Sequence, residues 1–182
     1  MKKKITVMTK MERIAAAIRG DAVDTVPYSL WSHLPLIDLD PVKNAEQTYD
    51  FCKTYDVDIL KTMNNGMYSV EDFGAVADYS EIAGGGAAKI VSTPVHRPKD
   101  WLDLEPVSVN AGALAREQEY LRLLLDKTRG EVPVIFTVFS PLTTAYKLCP
   151  DLMRHVAEGF GEEVKAGLRA ITESTCALVQ RV

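Results

Sequence analysis

The chain has 182 residues, 47% hydrophobic and 25% charged, a globular composition long enough to bury a core. Its formal net charge of -4 comes from 21 basic and 25 acidic residues interspersed along the chain, so no basic stripe is available for a phosphate backbone and nucleic acid is not an expected partner. No segment approaches the roughly 20 apolar residues of a membrane span, and Lys10, Glu12 and Arg13 interrupt the start before a signal-like apolar region can develop, so the chain reads as cytoplasmic, with no membrane partner.

Thr9 followed by Glu12 is a capping box, and Met11, Ile14, Ala15 and Ile18 then recur at helical spacing until Gly20 stops the helix. "VPYSL" (26–30) reads as a strand, limited by Pro27 to a strand start or an edge. In "LDP", Asp40 stands as N-cap and Pro41 at the first helical position of a helix running to about Tyr55. "VDILKT" (57–62) is the next strand and ends in the turn residues Asn64, Asn65 and Gly66.

Residues 69–74 make at most a capped helical turn. Gly84, Gly85 and Gly86 then break the chain before a strand over 88–92; they lack the spacing of a phosphate loop and read as a flexible turn. From Gly112 to Thr128, Leu114, Leu121, Leu124 and Leu125 fall on one helical face with Glu117, Glu119, Arg122 and Lys127 around them, and Gly130 ends the helix. The apolar run 132–138 predicts a strand covered on both faces. Helices follow over about 142–148, 150–158 and 162 to the end.

Strands alternating with helices predict an α/β fold with parallel strands, treated as one domain over 1–182. The three cysteines, Cys52, Cys149 and Cys176, are widely spaced with no C-x-x-C pair, so they read as buried or half-buried thiols rather than disulfides or a zinc knuckle. His96 and His155 have no partner at ligand spacing, and no metal site is expected from this chain.

In parallel α/β folds ligands gather at the carboxyl ends of strands. Three loops there would supply Trp31, Ser32 and His33, then Lys61, Asn64 and Asn65, then Ser140 and Thr143. Ser140 also fits an N-cap with Pro141 at N1, and Asn64-Asn65-Gly66 also fits a plain turn. Lys61 at a strand end is the least explained by structure alone.

The segments "MERIAAAIRGDAVDTVPYSLW", "TYDVDILKTMNNGMYSVEDFG", "VPVIFTVFSPLTTAYKL" and "EEVKAGLRAITESTCALVQ", taken in order, resemble the N-terminal half of the uroporphyrinogen decarboxylase superfamily. The resemblance implies a (β/α)8 barrel, seen here as a half with about four strands. It implies either tetrapyrrole decarboxylation without a cofactor or cobalamin-dependent methyl transfer to a small thiol or related acceptor.

Three departures bear on that choice. The decarboxylases carry an arginine-rich "RQAGRYLP" loop where this chain has "SLWSHLP", and an aspartate in "FSD" where it has "KTMNN". Their tyrosine four residues after a Pro-x-Thr threonine is Lys147 here, with Tyr146 one residue early. The missing arginines and aspartate favour methyl transfer, with Trp31, Ser32, Asn64, Asn65, Ser140 and Thr143 binding substrate and His33, Lys61 and Tyr146 as catalytic candidates.

The methyltransferase branch holds zinc in its C-terminal half, so the expectation is that this chain binds no cofactor by itself and is inactive alone. Zinc and a corrinoid protein partner belong to the full-length reading. The alternative expectation is a non-catalytic half barrel that pairs with itself or another chain through an open sheet edge.

Overall fold

The computed structural model describes residues 7–84 and 87–182. In chain order its elements are α1 (Lys10–Arg19), α2 (Pro41–Tyr55), β1 (Leu60–Lys61), α3 (Tyr68–Glu71), β2 (Val76–Asp78), β3 (Lys89–Ser92), α4 (Gly112–Thr128), β4 (Val134–Ile135), α5 (Pro141–Leu148), α6 (Leu152–Ala157) and α7 (Gly161–Val179). They form two compact units, one from the chain up to Asn64 with Glu119–Thr137, the other from Asn65–Gln118 with Val138–Val182. Among the described residues no helix is long and apolar enough to cross a membrane.

In the first unit α1 starts where predicted. Thr9 Oγ1 accepts the Glu12 N–H at 3.2 Å while the Glu12 carboxylate accepts the Thr9 N–H at 2.9 Å. Asp40 caps α2, its Oδ1 accepting the N–H groups of Val42 and Lys43 at 3.1 and 3.2 Å. From α1, Arg13 grips Asp24 through Nε at 2.7 Å and reaches the buried Asp58 carboxylate with another nitrogen.

Asp58 is also what holds the segment predicted as the first strand. Its Oδ2 accepts the Tyr28 N–H at 3.0 Å and its N–H donates to the Tyr28 carbonyl at 2.9 Å. Residues 26–30 therefore run without helical or strand structure, tied at one residue rather than along a ladder. Pro27, with no N–H to donate, breaks the pattern beside it.

β1 and β4 pair in parallel, Leu60 opposite Val134 and Lys61 opposite Ile135. α2 and α4 cover this pair with Ala45, Cys52, Tyr120 and Leu124, which pack with Val57, Leu60 and Val132. The prediction that residues 132–138 are covered on both faces does not hold: pairing spans two residues and Ile135 is 50% exposed. Leu125, predicted on the apolar face of α4, is 49% exposed beside a fully buried Leu124, because successive helical residues point about 100° apart.

In the second unit β2 and β3 pair antiparallel, so the strand predicted over 88–92 is present but is not part of a parallel sheet. Gly84 closes a 3-10 turn (Ile82–Gly84); Gly85 and Gly86, the rest of the predicted flexible turn, lie outside the described residues, as does the basic start of the chain. The core centres on the fully buried Trp101, packed among Val70, Ala145, Leu148, Leu152 and Ile171. Its indole N–H donates to Nδ1 of buried His155 at 3.0 Å, with Cys149 Sγ 3.8 Å from the same nitrogen. Cys52 and Cys149 are buried as expected, but Cys176, on the outer side of α7, is exposed.

Two glycines are required by close approach. At Gly167 in α7 a Cβ would stand 2.5 Å from Trp101 Cε3 and 3.2 Å from its carbonyl oxygen. At Gly112, where φ is +66°, a Cβ would meet Asp72, whose carboxylate accepts the Ala113 and Leu114 N–H groups at 2.8 and 2.9 Å and so caps α4.

Gly167→Ala is expected to destabilise the chain by about 1–3 kcal/mol through overpacking against the indole, read from the denaturant midpoint. A second test concerns acid. Arg13, then the Met8 N–H, holds the Asp24 carboxyl well below the usual carboxylate range. Its contribution is present above the unfolded value of about 4 and is lost as pH falls towards the folded one. Arg13→Met is expected to lower the thermal midpoint at neutral pH and to flatten its fall in acid; an unchanged acid profile would count against this role.

Candidate functional site

In the first unit β1 stops after two ladder bonds, Leu60 N–H to Pro133 O and Thr62 N–H to Ile135 O, both 2.9 Å. The next buried N–H, on Met63, needs another acceptor. It donates to the Tyr120 hydroxyl at 2.8 Å, and that oxygen lies 2.9 Å from Thr48 Oγ1. Thr48 donates to Asn44 Oδ1 at 3.3 Å while Asn44 Nδ2 donates to the Met63 carbonyl at 3.0 Å. Asn44, Thr48 and Tyr120 are all buried, so both backbone polar groups of Met63 are held by a closed network.

Thr62 extends the hold, its Oγ1 donating to Asn64 Oδ1 and accepting the Thr137 N–H at 3.0 Å. On this support Lys61 projects over Trp31, Nζ 3.9 Å from the ring centroid. The Trp31 indole N–H donates to the Thr62 carbonyl at 3.1 Å, and the His33 ring meets Trp31 edge-on with centroids 4.4 Å apart. Three of the predicted site residues thus come together. Among the described residues no carboxylate lies within ion-pair distance of Lys61.

Ser32 and Asn64 are placed differently. Ser32 is exposed and donates to the His33 carbonyl at 3.2 Å, a local turn bond. Asn64 is buried, its carboxamide engaged by Thr62. The cluster accordingly offers an ammonium on an indole face for an anionic group and an imidazole able to exchange a proton.

In the second unit Ser140 caps α5, accepting the Thr143 N–H at 3.1 Å with Pro141 at N1, and the two hydroxyls lie 2.9 Å apart. Tyr146 is 56% exposed, and its neighbour Lys147 is half-buried. Lys147 lies one turn beyond Thr143 on the same helical face. Its Nζ donates to the Gly66 carbonyl at 2.6 Å and stands 4.0 Å from the Phe139 ring centroid.

Asn65 is buried in a structural network. Its Oδ1 accepts from the Met67 N–H at 2.8 Å and the Tyr79 hydroxyl at 3.2 Å; Tyr79 also donates to Glu71 at 3.1 Å. Arg116 joins Glu71 at 3.0 Å and Glu117 at 3.3 Å. Burial, and next the Glu71 charge, push the Tyr79 phenol up to about 12. Glu117, expected on the charged side of α4, is fully buried because Arg116 accompanies it.

The sequence reading missed Asn44, Thr48 and Tyr120 as supports and Lys147 as a placed cation. Asn44 and Thr48 stand four apart on α2, and Tyr120 stands four before Leu124 on α4; that spacing, polar on a buried face, was the available signal.

A family model described as uroporphyrinogen decarboxylase (URO-D) matches residues 9–181. No curated protein matches the chain. Among solved structures it is similar to a methyltransferase from Methanosarcina mazei, at 18% identity and a TM-score of 0.75, over 96% of this chain and 56% of that one. At that identity the likeness shows the fold: α/β, corresponding to part of a (β/α)8 barrel. The chain spans 56% of the length of the structure it matches.

Tyr120→Phe deletes the acceptor for the Met63 N–H and is expected to destabilise by about 1–3 kcal/mol, the cost of an unpaired buried polar group. Hydrogen exchange at the Met63 amide should accelerate more than at Leu124, which distinguishes a local release of the loop from uniform weakening.

Proposed function

The chain belongs to the uroporphyrinogen decarboxylase family, and from that premise we propose that it is part of an enzyme that passes a methyl group from a corrinoid protein to a small-molecule acceptor, a thiol or a related nucleophile, in a cytoplasmic setting. The observation that carries this reading is the cluster of Trp31, His33 and Lys61. Trp31 and His33 lie in the loop where, by the resemblance, decarboxylases of the family carry arginines, and Lys61 at the end of β1 offers one ammonium in place of guanidinium forks. A single point charge suits a small substrate with one anionic group better than a tetrapyrrole with several.

Asn64 agrees with this. A neutral carboxamide tied to Thr62 does not stabilise a cationic pyrrole as a carboxylate does. The solved structure that the chain resembles is itself called a methyltransferase, which supports the same branch.

In this reading Lys61 holds the anionic group against Trp31, His33 exchanges a proton at the substrate and Ser32 lines the approach. In the second unit Ser140 and Thr143 are proposed as binding side chains and Tyr146 as a catalytic one, while Asn65, tied to Met67 and Tyr79, supports the loop beside them. Zinc, which the methyltransferase branch uses to activate the acceptor, finds no ligand set: among the described residues no three His, Cys, Asp or Glu side chains gather to hold a metal ion. No step is therefore assigned to a metal on this chain.

A second reading, pairing of two copies through the strand edge, is favoured by the exposure of Ile135 in β4. Light scattering tests it directly, a discrete dimer supporting it and a monomer removing it.

The activity test follows two signals, loss of methylcorrinoid absorbance with a thiol acceptor and CO2 release from uroporphyrinogen. Both are measured on the chain alone and on the chain completed by the C-terminal half of a related barrel. Methyl transfer is expected only in the completed barrel and should fall about 100-fold or more in Lys61→Met, the scale of losing a charge contact to substrate. CO2 release without methyl transfer would reverse the assignment.

A further inference from the structure

We propose that Lys147 is an anchor for the carboxylate of a small molecule, in a site built from Lys147, Gly66, Phe139 and Thr143 within the second unit. The inference does not rest on the methyl-transfer reading. A decarboxylase, a methyltransferase or a pure binding protein could each use it.

Lys147 is half-buried, and its Nζ meets the Gly66 carbonyl at 2.6 Å and the Phe139 ring at 4.0 Å. Both are partners of a cation. A carbonyl takes the proton of an ammonium, and the face of a ring attracts positive charge. Among the described residues no carboxylate lies within ion-pair distance of Nζ, and burial alone draws the ammonium below the usual lysine range.

The other half-buried cation among the described residues of this unit is matched. Arg116 has Glu71 and Glu117. Lys147 is thus a partly desolvated charge held in its protonated form by two neutral groups, and an arriving anion would compensate it.

Geometry selects the anion. A lysine is a point charge with three donors, of which the Gly66 carbonyl takes one. One turn back on α5 stands the exposed Thr143 hydroxyl, adjacent to Ser140 Oγ at 2.9 Å. One ammonium and a hydroxyl pair suit a monoanionic carboxylate. A phosphate dianion would call for a second cation or a guanidinium fork, whereas Lys147 Nζ is met by a carbonyl and an aromatic ring.

The geometry also argues against Lys147 as a nucleophilic amine. A nucleophile needs an unshared pair aimed outward, whereas the short bond to Gly66 and the ring contact both favour the protonated form.

The test is competitive labelling of the intact chain with an N-hydroxysuccinimide ester, read by peptide mass spectrometry. Labelling at Lys147 is divided by labelling at Lys165, an exposed lysine in the same digest. In potassium chloride Lys147 should reach half-labelling at a lower pH than Lys165. Replacing chloride with acetate at equal ionic strength should reduce the Lys147/Lys165 ratio about ten-fold near neutral pH, as the bound carboxylate holds the ammonium protonated.

An unchanged ratio overturns the proposal, and protection by inorganic phosphate but not by acetate overturns the choice of carboxylate. Lys147→Met should abolish acetate binding measured by calorimetry while Thr143→Val weakens it several-fold; binding that survives Lys147→Met also overturns the proposal. If Lys147→Met fails to fold, the labelling ratio on the unaltered chain decides the question. Failure of the methyl-transfer assay would leave each of these readouts unaffected.

Discussion

The N–H of Met63 is the group on which the geometry of the first unit's loop depends. β1 ends after two residues, and the chain must turn inside a buried space where an unpaired donor is not tolerated. The Tyr120 hydroxyl supplies the acceptor, and Thr48 and Asn44 close the network back onto the Met63 carbonyl. Both backbone polar groups of Met63 are thus held at the point where the chain leaves Lys61 and Thr62. Trp31 then binds to the Thr62 carbonyl and lies under the Lys61 ammonium. The candidate cluster of Trp31, His33 and Lys61 is thereby supported by a buried network.

Most half-buried cations have a carboxylate partner, Lys10 with Asp56 and Lys127 with Glu46 among them. Arg13 is matched by Asp24 and Asp58, and Arg116 by Glu71 and Glu117, so four carboxylates compensate two guanidinium groups. Those pairs join segments distant in sequence and serve the fold. Lys61 and Lys147 instead rest on aromatic rings, and among the described residues no carboxylate lies within ion-pair distance of either. A cation–π contact at a partly exposed site contributes about 0.5–1 kcal/mol, and burial draws the Lys147 ammonium below the usual lysine range, so Lys147 retains attraction for an anion.

The helices were legible in the sequence because their signals are local. Thr9 with Glu12, and Asp40 with Pro41, start α1 and α2 at the expected residues, and Ser140 with Pro141 starts α5. The strands were less legible. Residues 26–30 were expected to pair and instead meet Asp58 at one residue, and residues 88–92 pair antiparallel with a segment that carried no strand signal. A strand's partner lies elsewhere in the chain, and apolar alternation does not say which partner it is. Of the site, Trp31, His33 and Lys61 were anticipated and do come together, whereas Asn65 proved to be bound into the Tyr79 network.

Sequence by itself determined the α/β class, the caps and lengths of the main helices, and the family, since these follow from near-neighbour spacing and the order of motifs along the chain. Tertiary structure alone decided which polar residues are supports and which are free to act. Asn44, Thr48 and Glu117 look like solvated side chains in one dimension and are fully buried in three. Lys147 looks like an ordinary helical lysine until Gly66 and Phe139 are found against it. The physical reason is that desolvation and hydrogen-bond completion depend on groups tens of residues away, and no local pattern records them.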